Sequence, residues 1–509
     1  MKVFLMHRDM DFEAGAPLPS NESALVQDLE LDIILQAMAR GDRFLYDLAK
    51  KALLLSLSEV EAVRFRQCVL QDCFTNDAAI RALYSIAVEA IESRQRNWFS
   101  FSVRSSPGSI LYSAVQMIEM YVPLLERLRK MADESSGRFQ SEGFVRFFLM
   151  LEKELDEEYF GTIHAHLKYL AFSDGVLISA RLGRGEESFG HVLRKPKDFG
   201  GNWLHKIFRP KAPTYSFSIH PRDESGGRAL GELRDRGVNF AANSLARSAD
   251  HIESFFKLLR TELAFYVGCA NLHEDLVRLG EPTCFPAPNP PGALRNEFTG
   301  LYNVCLSLHT GMKSVGNGVQ ASGKNPVIIT GVNEGGKSTL LRSVGVAQLM
   351  MQCGMFVPAE SFRADIATGI FTHYRRKEDR SMTSGKFDEE LVRMDAIADH
   401  LAPHSLILFN ESFSATNERE GAEIAGQITK ALIEHGVRVL FVTHLYSFAV
   451  SFTGSSGYNP LFLRAERQPD GVRTFRIVEG LPSDRSHGED LYRKVFGDYG
   501  RDDRRAEPA

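Results

Sequence analysis

Apolar residues recur every three or four positions through the first part of the chain. Residues 21 to about 100 are rich in Leu, Ala, Glu and Arg and contain no proline, which predicts a set of helices. Residues 110–180 continue largely in that style. There Ile118, Tyr121, Leu125 and Leu128 form one apolar stripe, and Pro123 is expected to start or kink the helix that carries it. Between Gly183 and Gly237 the texture changes to glycines, prolines and scattered basic residues. Within it Tyr215-Ser216-Phe217-Ser218-Ile219 alternates as a strand does, so a loop-rich or β-containing insertion over 183–238 is predicted. Leu245, Ile252, Phe255, Leu259, Leu263, Tyr266, Ala270 and Leu276 then hold a helical rhythm for about thirty residues, roughly 45 Å of helix. Such a helix serves as core, and its length also suits a lever. Pro282, Pro286, Pro288, Pro290 and Pro291 mark a boundary, and from about residue 295 strands alternate with helices. The expected fold is mixed: an N-terminal helical domain (1–110), a long-helix region (111–290) and an α/β domain (291–509), with no internal repeat.

The α/β part carries the most informative stretch. Gly331-Val332-Asn333-Glu334-Gly335-Gly336-Lys337-Ser338-Thr339 fits the phosphate-binding pattern G-x-x-x-x-G-K-[ST]. Val327-Ile328-Ile329-Thr330 before it reads as a buried strand, and Leu340, Leu341, Val344, Val346 and Leu349 after it recur at roughly helical spacing. A glycine-rich turn that binds nothing has no need of that context. The glycines let backbone N–H groups turn toward phosphates, and the helix N-terminus adds positive potential. Gly331, Asn333, Gly335, Gly336, Lys337, Ser338 and Thr339 are the expected nucleotide contacts, with Lys337 reaching the β- and γ-phosphates and Ser338 ligating Mg²⁺.

Two further strand ends complete the candidate chemistry. Ser405-Leu406-Ile407-Leu408-Phe409 is a buried-strand run closing on Asn410-Glu411, where ABC-type P-loop ATPases place their carboxylates. Glu411 is positioned to polarise the attacking water. Asn410 is the anomaly among the metal candidates, Ser338 and Asn410, because an amide brings no negative charge and should hold Mg²⁺ more weakly. Either hydrolysis is slow or the metal relies on Ser338 and the phosphates. Arg438-Val439-Leu440-Phe441-Val442-Thr443-His444 is another strand, and a histidine at such an end contacts the γ-phosphate or the water in ABC-type ATPases. Glu411, His444 and Lys337 are thus the catalytic candidates.

These pieces resemble the ATPase domain of the MutS family of DNA mismatch-repair proteins. Thr330 to Thr339 resembles T-G-P-N-x-G-G-K-S-T, with Val332 in place of proline, and Ile370-Phe371-Thr372 resembles the family's I-F-T-R strand end. Asn410 to Gly421 follows D-E-x-x-x-G-T-x-x-x-x-G without a gap, except at Asn410 and Ala415. Thr443-His444 matches its T-H, and Gly480 to Gly488 resembles its closing G-x-x-x-x-S-Y-G segment. Val315-Gly316-Asn317 looks like the adenine-side segment without its usual aromatic residue, which adds Asn317 to the nucleotide contacts. The resemblance is strong over about 310–495 and weaker over 21–280, where Arg64-Phe65-Arg66-Gln67 sits among helices like the family's R-Q helix. It implies a helical core and lever, the lever and clamp-like part lying in 111–290, followed by a P-loop ABC-type ATPase domain. The N-terminal mismatch-reading domain and the helix–turn–helix tail of the family are expected to be missing. The resemblance also implies a homodimer with composite sites, each completed by a partner segment, here Ser384, Gly385 and Lys386. Without such a role, Thr383 or Ser384 would simply cap a solvent-facing helix.

Composition narrows the setting. A chain of 509 residues with 44% hydrophobic content buries a large core, and its length favours two to four domains. No apolar run reaches the ~18 residues of a membrane span, and the N-terminus has too short an apolar core for a signal peptide. The six cysteines show no CxxC and read as buried thiols of a reducing cytoplasm. The net charge of −5 does not advertise nucleic-acid binding, so DNA contact has to come from a local patch. Arg194, Lys195, Lys197, Lys206, Arg209 and Lys211, interleaved with Trp203 and Phe208, are the candidates. A solvated basic loop explains them equally well. Arg375-Arg376-Lys377 is assigned instead to the nucleotide site or the dimer contact.

The expected function is ATP binding and Mg²⁺-dependent hydrolysis that switches a dimer on DNA. The rival is an ATP-gated clamp or scaffold that binds nucleotide and hardly hydrolyses it. The ATPase subunit of a membrane transporter is disfavoured by the long helical N-terminal region and the absence of an L-S-G-G-Q segment before Asn410.

Overall fold

The computed structural model describes residues 1–96, 106–172, 175–185, 187–195, 215–332, 334–376, 385–454, 457–467 and 473–482. The chain forms two compact units. One comprises Met1–Leu5, Asp9–Phe12 and Asn76–Leu263, the other Met6–Arg8, Glu13–Thr75 and Ala264–Ala509.

The first unit is mainly helical, with helices Asp77–Arg96, Pro107–Ser135, Glu142–Glu154 and Glu157–Leu170. Pro123 does not start its helix. The start falls at Pro107, where Ser106 and Ser109 form a reciprocal capping box and the proline occupies the first turn, where its missing N–H costs nothing. The helix continues through Pro123 because the predicted stripe of Ile118, Tyr121, Leu125 and Leu128 is buried on both sides of it. Strands β1 (Ile178–Leu182) and β2 (Ser188–Leu193) pair as an antiparallel hairpin. Tyr215–Ile219 is not a strand. No described segment pairs with it, and Tyr215 and Phe217 stand exposed, so alternation alone does not make a ladder. Among the described residues of the predicted 183–238 insertion, Ser188–Leu193 is strand, so the insertion does contain β structure. Its last part is helix, because the long helix runs Glu224–Arg278, 55 residues rather than about thirty. Asp223 caps it by accepting the Gly226 N–H at 2.9 Å.

In the second unit, helices Glu22–Asp28, Leu31–Ala39, Arg43–Leu54 and Val60–Thr75 accompany two sheets. Strands β3 (Ala287–Asn289), β4 (Asn296–Leu301), β5 (Asn317–Gln320) and β7 (Ser361–Asp365) form a four-stranded sheet in the order β3-β7-β4-β5. The other sheet uses β6 (Val327–Thr330), β8 (Ile370–Tyr374), β9 (Leu406–Asn410), β10 (Arg438–Val442), β11 (Leu461–Arg467) and β12 (Arg473–Glu479) in the order β12-β11-β6-β10-β9-β8. All its neighbours pair in parallel except β11 and β12. Parallel strands covered on both faces read as unbroken apolar runs, which is how β6, β9 and β10 stood out in the sequence. Phe409, Phe413, Phe441 and Phe448 are fully buried in the core cluster on one face, together with Ala422, Ala425 and Leu432 of the helix Glu418–Glu434.

Arg66, in the helix Val60–Thr75, is also fully buried. Its guanidinium donates to the carbonyls of Met6 (3.0 Å) and Cys353 (3.1 Å) and lies over the Phe265 ring. Gln67 beside it donates to the Pro286 carbonyl at 3.1 Å. The Arg-Gln pair noticed in the sequence is therefore a polar anchor for loop carbonyls.

Candidate nucleotide site

The site forms at the carboxyl ends of the parallel strands, where open α/β sheets place their ligands. After β6 the chain turns at Gly331 (φ +118°), and Gly336 (φ +93°) precedes the helix Lys337–Gln352. At that φ a side chain is strained, and a Cβ on Gly336 would also stand 3.1 Å from the Phe475 carbonyl oxygen of β12. Cβ atoms on Gly331 and Gly335 would meet Ala465 of β11 at 3.1 and 2.7 Å. The hairpin β11–β12 thus backs the loop, and Arg473 pairs with Glu334 across it.

Lys337 is buried at the helix start. Its ammonium donates to the carbonyls of Gly331 (2.9 Å) and Val332 (2.8 Å). Burial pushes its pKa down to about 8, opposed by the Glu411 carboxylate. Ser338 Oγ donates to Asn410 Oδ1 at 2.7 Å. These two neutral oxygens fit a Mg²⁺ position whose negative charge comes from the phosphates rather than from the protein.

Glu411 follows β9 in a left-handed turn (φ +55°), with its N–H donated to the Val442 carbonyl at the end of β10 (2.8 Å). His444, two residues beyond β10, places Nε2 3.1 Å from Glu411 Oε1. A carboxylate only accepts, so this nitrogen carries the hydrogen. The His444 hydrogen bond holds the Glu411 carboxyl below its ordinary pKa against the effect of burial, with Lys337 and Arg375 adding to it. An ionised, oriented carboxylate therefore stands beside a lysine and a hydroxyl.

The other candidates are placed as follows. Thr339 lies in the first turn of the helix Lys337–Gln352. Asn317 is buried, and strand β12 takes both ends of its amide, through the Ile477 N–H (2.7 Å) and the Phe475 carbonyl (3.4 Å). Gly385 is the cap residue of the helix Lys386–Ala398, with no side-chain bond there, so Lys386 opens that helix. Arg376 pairs with Asp28 at 2.9 Å, whereas Arg375 is exposed and its N–H joins the Asn410 carbonyl at 2.9 Å. Arg194 closes the β1–β2 hairpin, its N–H on the Leu177 carbonyl (2.8 Å) and its Nε on Ser179 Oγ (2.9 Å), and Lys195 follows it. Asn333, Ser384, Lys197, Lys206, Arg209 and Lys211 lie outside the described residues, as do Lys377, Trp203 and Phe208.

Sequence reasoning missed His373, Glu390 and Ser412, which are buried behind Glu411. Glu390 Oε2 accepts the Phe413 N–H at 2.7 Å, and His373 lies 2.7 Å from Ser412 Oγ through Nδ1 and 2.9 Å from the Glu390 carbonyl through Nε2. One available signal was His373 standing where the resembled pattern has arginine.

A strand, a glycine loop capped by a helix, and two further parallel strands ending in a carboxylate and a histidine together define a P-loop α/β domain of the ATPase class. Comparison with known proteins agrees: the MutS2 N-terminal domain matches residues 58–279 and MutS domain V matches residues 327–495. The chain belongs to the MutS-like mismatch-repair family. It is 34% identical over 168 residues to the DNA mismatch repair protein MutS of Thermotoga neapolitana, covering 33% of this chain and 21% of that protein. It is 29% identical over 207 residues to Endonuclease MutS2 of Thermus thermophilus, covering 40% and 27%. Msh6 of Gallus gallus is 35% identical over 179 residues, covering 33% and 13%. The matched stretch spans about a fifth of the length of the first of these curated relatives. No helix among the described residues is long and apolar enough to cross a membrane.

Proposed function

We propose that the protein binds ATP with Mg²⁺ and hydrolyses it at composite sites in a homodimer, switching its state on DNA during repair or a related transaction. The observation that carries this reading is the Glu411–His444 pair beside Lys337 and Ser338. A protein that only binds nucleotide has no need of a carboxylate kept ionised and oriented at the end of β9. In this reading Glu411 orients the attacking water and takes up its proton, while His444 holds the carboxylate in place. Lys337 leaves the Gly331 and Val332 carbonyls for the β- and γ-phosphates, regaining the charge stabilisation that burial removed. Bound Mg²⁺ would be held by Ser338 and Asn410 and would neutralise developing phosphate charge. Lys386, at the start of its helix, supplies a cation to the partner's γ-phosphate.

ATP hydrolysis by the purified chain, with and without DNA and at low and physiological salt, tests the reading. Turnover that DNA raises, that salt suppresses and that Glu411→Ala abolishes is the expected result. Nucleotide binding without any effect of DNA would remove DNA from the proposal. Arg194 and Lys195 are the described residues through which a salt-sensitive DNA contact would act.

The second reading, an ATP-gated clamp with little hydrolysis, draws on Asn410. Its amide carries no charge and is joined directly to Ser338. Replacing Asn410 with Asp is expected to lower the Mg²⁺ concentration for half-maximal turnover by about tenfold. A magnesium titration in which the variant matches the wild type would show that Asn410 sets neither metal affinity nor rate.

A further inference from the structure

The turn that carries Glu411 is held from behind by groups the reaction does not consume. Both Glu411 (φ +55°) and Phe413 (φ +62°) are left-handed, a conformation that side chains rarely adopt. Such a turn persists only where its surroundings over-determine it. Two contacts and one missing Cβ do so. The buried Glu390 carboxylate accepts the Phe413 N–H at 2.7 Å. His373 lies against Ser412 and stacks on the Phe413 ring with centroids 5.2 Å apart. Gly421 lacks the Cβ that would otherwise sit 2.3 Å from the Phe413 carbonyl oxygen.

The proton arrangement follows from the partners. The Glu390 carbonyl can only accept, so His373 Nε2 donates to it, and burial keeps the imidazole neutral with its pKa near 4. The one Ser412 hydroxyl hydrogen faces two acceptors of His373, its carbonyl oxygen at 2.5 Å and Nδ1 at 2.7 Å. Glu390 therefore grips the turn directly, by its side chain, and indirectly, by its carbonyl through His373 and Ser412. It does so from the helix that begins at Gly385–Lys386.

We propose that Glu390 is a positioning residue, a latch that fixes the Glu411–Phe413 turn so that the Glu411 carboxylate faces the attacking water. The proposal rests on the assignment of Glu411 as the base. It concerns a hydrogen-bond acceptor at a fixed place, not a charge, so an amide of the same shape should serve.

The test measures single-turnover ATP hydrolysis and the Kd for a fluorescent ATP analogue in the full chain. Wild type is compared with Glu390→Ala, Glu390→Gln, Ser412→Ala and Glu411→Ala. Glu390→Ala is expected to slow hydrolysis by roughly tenfold or more, the scale of a small misplacement of a catalytic group, with Kd within about twofold. Glu390→Gln should recover the rate to within about threefold, because its amide oxygen accepts the same N–H. An equal loss in the Gln and Ala variants, or a Kd that worsens in step with the rate, would overturn the latch. Should Glu390→Ala fail to fold, Ser412→Ala decides: a several-fold slower rate at unchanged Kd supports the proposal, and a wild-type rate overturns it. Turnover that survives Glu411→Ala would instead sink the assignment of the base, and the latch with it. Turnover lost in Glu411→Ala but intact in Glu390→Ala would sink the latch alone.

Discussion

Replacing Glu411 with Gln is expected to slow single-turnover ATP hydrolysis by roughly a hundred- to ten-thousand-fold while leaving nucleotide affinity nearly unchanged. The side chain keeps its size, so the strained turn and the contact with His444 survive, and only the capacity to take a proton is lost. The environment adds a statement about pH. His444, and then Lys337 and Arg375, hold the Glu411 carboxyl below its ordinary value. The base is active when ionised, so its acid limb must lie below the range of an ordinary carboxylate, around pH 4. Between about pH 6 and 8 the rate should show no loss from protonation of this group. Removing the partner with His444→Ala takes away the largest stabilising contact, so the acid limb should move upward. A pH–rate profile of His444→Ala that superimposes on the wild type would show that the pair does not set the ionisation of the base.

The second large effect is on stability. Arg66→Met keeps most of the apolar stem but deletes the donors to the Met6 and Cys353 carbonyls. Two buried acceptors then lose charged partners, each worth about 1.5–3 kcal/mol, so a loss of about 3 kcal/mol or more is expected in denaturant unfolding. Repacking cannot recover it, because Gly354 approaches the Arg66 stem so closely that a Cβ there would stand 2.7 Å away. His7 supplies a second signature. Burial, and then the Arg66 guanidinium, push its pKa from 6.5 down to about 4. The folded state thus binds fewer protons than the unfolded state between those values. Stability is fully present above about pH 6.5 and is lost as pH falls toward 4. Arg66→Met removes one of the two causes, so the slope of stability against pH in that window should flatten. An unchanged midpoint at pH 7 would show that water replaces the guanidinium at no cost.

What was legible in the sequence depended on how local the signal was. The phosphate loop is contiguous, and its strand and helix flank it, so every part could be read from neighbouring letters. Glu411 and His444 were legible because each ends an unbroken apolar run that only a covered parallel strand produces. The latch was not. Glu390 and Phe413 are 23 residues apart and His373 and Ser412 are 39 apart, joined only by the register of β8 against β9 and the packing of a helix. The length of the helix Glu224–Arg278 was hidden by Gly226, Gly227, Gly231 and Gly237, which lower local propensity while the rest of the helix sustains it. Tyr215 to Ile219 failed in the opposite way, since an alternating pattern describes a strand only where another strand receives it. Pro123 does not open its helix, because the lost hydrogen bond and the ring clash it brings are overridden by a long buried stripe.

The hairpin behind the phosphate loop changes how degenerate copies of such a chain should be interpreted. Gly331, Gly335 and Gly336 are confined by Ala465 and Phe475 whether or not a phosphate ever arrives. A descendant that ceased to turn over ATP would still be held to these glycines by the crowding of its own sheet edge. Drift would be released elsewhere, at Lys337, whose ammonium is buried at a cost, and at Glu411, whose backbone is held in an unfavourable conformation. In a set of diverged sequences, retained glycines would then testify to architecture, and the lysine and the glutamate to work.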